Sequence, residues 1–222
     1  MTPAGIIAQV RNLIQASSTP YRYSDSVLLG YVNQALKRMA ILRPDLFGVL
    51  GDITTTADSA VQALPSTAIR LIDIYQVKNG NAITEVDRET LSRCNPTWMT
   101  ETAGVPVNYM RHVKNPQKFF LYPRPIAGTV LVAEYANTPL DYTINDTIVA
   151  PPDSFMPVVV DATVFLAQSE DDEHVNSNRA KLFLDLFTQE LGASLQSRTI
   201  TDTKTAGMKA SYTTSVITGE VI

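Results

Sequence analysis

Cysteine is nearly absent. Cys94 is the single thiol in 222 residues, so no disulfide can form within the chain and a zinc site made of cysteines alone is excluded. Histidine is almost as scarce: His112 and His174 are the only two. Charge is sparse as well, at 18% of residues, below the quarter or so of an ordinary domain. A chain so poor in charge must hide apolar area in a core, in partner contacts, or in both. The balance is slightly acidic, with 18 basic and 22 acidic residues for a net charge of −4. That is the wrong sign for gripping nucleic acid by counterion release, though not for a wall past which a duplex slides. No apolar run approaches a membrane span. Met1 to Ile14 has an apolar rhythm, but Arg11 interrupts it and no cleavage pattern follows. The chain is therefore expected to be made and assembled in a cytoplasm.

What is present reads as helix, helix, sheet, helix, helix, tail. Thr2 and Pro3 open the first helix with a side-chain cap and a proline in the first turn. Ile6, Ile7, Val10, Leu13 and Ile14 then recur at helical spacing, and Ser17 to Pro20 should end it. Ser24 or Asp25 caps the next helix. Its stripe is Val27, Leu28, Tyr31, Val32, Ala35, Leu36, Met39 and Leu42, and Pro44 stops it.

From Gly51 to Pro151 the helical period disappears, and short β-branched and aromatic runs alternate with Pro, Gly, Asn and Thr. Expected strands are Ile69–Val77, Ile83–Val86, Val107–Arg111, Phe119–Tyr122 and Val130–Tyr135, with Asn79-Gly80-Asn81 as a hairpin turn between the first two. The whole segment reads as a small antiparallel sheet or sandwich.

Helical patterning returns at Asp153. Phe155, Val158, Val159, Ala162, Phe165 and Leu166 form one stripe; Ala180, Phe183, Leu184, Phe187 and Leu191 form another, with Gly192 as the expected stop. The expected fold class is α+β: a four-helix bundle built from N- and C-terminal helix pairs, an inserted small antiparallel β-domain, and an extended C-terminal arm. The boundaries are 1–50 and 152–195 for the helix pairs, 51–151 for the β-domain and 196–222 for the arm. In the arm, Thr199, Thr201, Thr203 and Thr205 alternate strictly and large apolar residues are few. The period of two suits an extended strand paired with an edge on another chain, against the plainer reading of a polar tail.

Catalytic constellations are weak. A Cys94–His112 dyad lacks a helix start to lower the thiol pKa. Glu170, Asp171 and His174 could share a helical face and hold a metal, but an acidic run more simply solvates a helix corner. There is no nucleophile elbow and no phosphate loop. Arg111, His112, Lys114, Lys118 and Arg124 interleave with Tyr109, Phe119, Phe120 and Tyr122, a pattern that single strands stack on; alternation of strand residues between core and solvent explains it better. The reading is a non-enzymatic protein with no catalytic, cofactor or metal residues.

Tyr31-Val32-Asn33-Gln34-Ala35-Leu36-Lys37-Arg38, followed by Leu42-Arg43-Pro44-Asp45, resembles the N-terminal signature of the phage head-to-tail adaptor (connector) family, which includes tail tubular protein A of short-tailed phages. Asn95-Pro96-Thr97-Trp98, Pro106-Val107-Asn108-Tyr109, Phe119 to Tyr122, Pro123-Arg124-Pro125, Asn178-Arg179-Ala180 and Phe187 to Gly192 follow in that family's order. The resemblance implies a virion structural protein at the head-tail junction. It implies a dodecameric homo-oligomeric ring that joins the portal protein to the tail nozzle protein and forms part of the DNA channel, passing double-stranded DNA without specific binding. From the residues themselves, no cofactor and no membrane are expected. The arm would dock on the portal through Ile200, Met208, Tyr212, Val216 and Ile217. The alternatives are another tail structural subunit, or a tail-associated glycan-binding or glycan-cleaving domain.

Overall fold

The computed structural model describes residues 1–14, 22–169 and 177–201, with side chains described up to residue 192 and from 180 onward in the last helix. Among them are five α-helices and seven strands in two sheets. Helices α1 (Pro3–Leu13) and α2 (Asp25–Leu42) start on the capping residues expected of them. Thr2 Oγ1 accepts from Gly5 N, and Ser24 Oγ accepts from Val27 N at 3.3 Å. A 3₁₀ turn at Pro44–Phe47 ends α2 and leads into β1 (Gly48–Thr54). Strands β2 (Val61–Ala63), β3 (Ala68–Val77) and β4 (Thr84–Glu85) follow. Next come α3 (Arg88–Cys94), β5 (Asn108–Arg111), β6 (Lys118–Tyr122) and β7 (Val130–Asn137), then α4 (Met156–Gln168) and α5 (Ser177–Thr201).

The β-region is two sheets packed face to face. One is antiparallel in the order β1-β7-β3; the other runs β2-β6-β5-β4. Ile53, Leu71, Ile74, Leu131 and Ala133 from the first meet Tyr109, Phe119 and Leu121 from the second in one buried core. The turn at Asn79-Gly80 forms, with Asn79 at φ 59° and Gly80 N donating to Val77 O. The chain pairs back across it as expected, with Val77 N donating to Asn81 O, Ile83 N to Tyr75 O, and Gln76 bridging Ala82 antiparallel; β4 then leaves for the other sheet, where it pairs in parallel with β5.

The fold is mixed α+β, and the helices do not form the expected four-helix bundle. The reason lies in α4. Val158, Val159, Val160, Ala162, Thr163, Val164, Leu166 and Ala167 are all buried, so this helix is covered on nearly every side instead of along one stripe. It serves as a hub for α1, α2 and α5, while α2 and α5 do not close on one another. The 3₁₀ turn after α2 also packs on β7 and β3, which ties the helical layer to the sandwich.

Helix α5 differs from expectation at its end. It continues past Gly192 to Thr201, so residues 196–201, including Ile200, are helical where an extended chain was expected. Gly192 has no positive φ, and the Ala-Ser-Leu-Gln run after it favours helix enough to carry the turn onward. Met208, Tyr212, Val216 and Ile217 lie outside the described residues, as do the expected stop at Ser17 to Pro20 and the acidic group Glu170, Asp171 and His174.

Candidate functional site

The open seam between α2 and α5 leaves an apolar groove of about 290 Å³ floored by α4. Ile41 and Leu42 of α2, Phe165 of α4, and Leu184 and Phe187 of α5 line it. Ile41 is 72% exposed and Leu42 55% exposed. Leu42 was expected in the helix core; because α2 and α5 do not close on one another, it lies in the groove instead. Arg38 is the one charged residue among the lining set, and it makes no ion pair among the described residues. Large apolar side chains turned to solvent along a concave seam mark a contact surface more than a small-molecule pocket, which would carry convergent polar groups.

The end of the groove is held by Arg43, which is 1% exposed. Its Nε and Nη2 donate to the two oxygens of Asp45 at 2.9 and 2.8 Å, and Nη1 donates to the Leu191 carbonyl at 2.9 Å. A guanidinium this deep is stable because a carboxylate takes its charge in a two-pronged pair and a helix carbonyl takes a further N–H. The Arg43-Pro44-Asp45 sequence thus staples the turn after α2 to α5. On the α4–α5 seam, Asp161 is half-buried. Burial, and next the charge of Glu190 on α5, push its carboxyl up to about 6.

The basic and aromatic stripe does not assemble into a binding face. Tyr109 and Phe119 are in the sandwich core. Arg111 is committed to Glu85, at 2.7 Å from its Nε, and to the Leu71 and Ile72 carbonyls of β3. Tyr109 O–H donates to Asp73 at 2.6 Å, and burial first, then that bond, drives its pKa up. Arg124 donates to the carbonyls of Glu101, Asp58 and Thr100. These cations brace loops and sheet edges. His112 stacks on Phe120 at 5.3 Å and its Nδ1 accepts from the backbone N–H of Asn115, so it is not presented to Cys94 as a base. Cys94 is exposed at the end of α3. Trp98 is buried, edge-on to Phe120, with its N–H donated to Ser92 Oγ at 3.1 Å.

Among the described residues no three His, Cys, Asp or Glu side chains are placed to hold a metal, and no helix is long and apolar enough to cross a membrane. The groove itself went unread in the sequence. Its signal was Ile41 and Leu42, adjacent apolar residues at the end of a helix whose stripe can bury only one side.

No curated protein matches the chain. The family model of the SU10 adaptor protein matches residues 1–210. That match bears out the head-to-tail adaptor resemblance but does not extend to tail tubular protein A. An adaptor is a structural component of the virion that contacts other phage head and tail proteins, and the chain belongs to the SU10 adaptor protein family.

Proposed function

We propose that this adaptor forms a dodecameric ring between portal and tail nozzle, with its inner face part of the channel for DNA. The observation that carries the reading is the family match, which takes in nearly the whole chain. Charge agrees with it. From Ile126 to Asn178 the chain has acidic residues but no lysine or arginine, so this stretch offers a passing duplex no cationic anchor. Low charge and an open apolar groove suit a subunit that must stick to neighbours on more than one face.

The segment after α5, with Met208, Tyr212, Val216 and Ile217, is the arm that docks on the portal, and Ile200 leads into it from the helix. Ordering a free segment costs about 1–2 kcal/mol per residue of backbone entropy, so one arm binds weakly and a ring of arms binds by avidity. Truncation after Thr201 tests this, because it leaves α5 whole. The truncated chain should keep its circular dichroism and melting temperature yet fail to co-sediment with portal rings that capture the full chain. Equal co-sedimentation of both would remove the arm from the interface. Loss of both would remove the portal as partner.

A further inference from the structure

The groove has a counterpart on the same molecule. Residues 138–150 run back along α2 before reaching α4. Asn33 and Tyr142 exchange two hydrogen bonds, Asn33 Nδ2 to Tyr142 O at 3.1 Å and Tyr142 N to Asn33 Oδ1 at 3.0 Å, and Lys37 pairs with Asp141 at 2.5 Å. Ile148 is buried in the helical core. The loop is therefore anchored at both ends, yet it holds two large apolar side chains out in solvent: Leu140 at 73% exposure and Val149 at 83%. Asp146 lies between them and accepts from Thr143 N at 2.6 Å, a bond that holds its carboxyl below the usual range. It makes no ion pair among the described residues.

The loop runs along one flank of α2, and the groove opens on the other with Ile41 at its near edge. At about 100° per residue, the midpoint of Arg38 and Leu42 is some 140° around the helix from the midpoint of Asn33 and Lys37, which face the loop. The loop offers exposed apolar side chains and Asp146; the groove is concave and apolar, with Arg38, which makes no ion pair among the described residues. The two match in apolar character and complement each other in charge, and within one subunit Arg38 and Leu42 lie around α2 from the loop. We propose that the 138–150 loop of one copy seats in the α2–α4–α5 groove of the next. Leu140 and Val149 cover Ile41, Leu42 and Phe165, and Asp146 meets Arg38. Because the two patches differ, the contact is head-to-tail, and repetition closes a ring or grows a filament; it does not stop at a dimer.

This assignment rests on the ring reading, and a disulfide-trapping experiment separates the two. In the full chain carrying Cys94→Ser, the pair Leu42→Cys and Val149→Cys replaces side chains that are exposed in the single subunit, so folding is spared. Oxidation should give a ladder of covalent multimers on a denaturing gel, and neither single cysteine should extend beyond a dimer. Arg38→Glu and Asp146→Arg should each weaken self-association about tenfold or more in sedimentation, and the double variant should recover it. Rings without a ladder, and indifferent to both reversals, would overturn the groove assignment and leave the ring standing. A chain monomeric alone and on the portal would overturn both.

Discussion

At the scale of single residues, Asp161 shows how an environment sets a charge. It sits on the only strip of α4 that is not fully covered, and burial next to Glu190 pushes its carboxyl up to about 6. A carboxyl raised on folding contributes stability that is complete below the unfolded value, about 4, and is lost as pH rises through about 6. Replacement by asparagine removes a group that must ionise in an unfavourable place. Asp161→Asn should therefore raise the melting temperature at pH 7 by a few degrees, about 1 kcal/mol once partial solvent screening is allowed for. At pH 4 the variant should match the wild type, since the native carboxyl is then largely protonated in the fold. Thermal denaturation at the two pH values checks both halves. An equal gain at both would mean that packing, and not charge, is responsible.

At the scale of elements, what the sequence disclosed depended on how much of each element is buried. Helices α1, α2 and α4 and strands β3, β5, β6 and β7 carry regular apolar spacing and lie close to where that spacing placed them. Strand β1 was missed because only Ile53 is buried in it. Its two glycines also suggest a loop, although Gly51 fits closely there: a Cβ would stand 2.8 Å from the Tyr135 hydroxyl, which would have to shift. Helix α3 buries nothing, and its one signal was Asp87, which accepts from Thr90 N at 2.9 Å as a cap. The bundle failed because each stripe was counted without asking how many sides of α4 were apolar. Arg43 is the clearest case of a residue legible as a motif but not as a contact, since its partner Leu191 is far away in sequence. Arg43→Ala should cost about 3–5 kcal/mol in chemical denaturation, because Asp45 is left without its guanidinium and Leu191 without its donor. Hydrogen exchange should rise in α5 and the turn after α2, while β5 and β6 keep their protection. Loss of protection throughout the sandwich would show the two layers to be one unit of stability.

At the scale of the whole molecule, the low charge and the order of the segment motifs had already turned the reading toward assembly, and the SU10 adaptor match gives that reading its family. The groove, its loop counterpart and the segment beyond α5 are three contacts one subunit could use: two with its neighbours and one with a portal. Electron cryomicroscopy of the virion's head-tail junction tests the central claim most directly. The account predicts a ring of this chain directly beneath the portal, its helical layer and sandwich stacked along the DNA channel. Density for the chain anywhere else in the tail, or none at the junction, would contradict it.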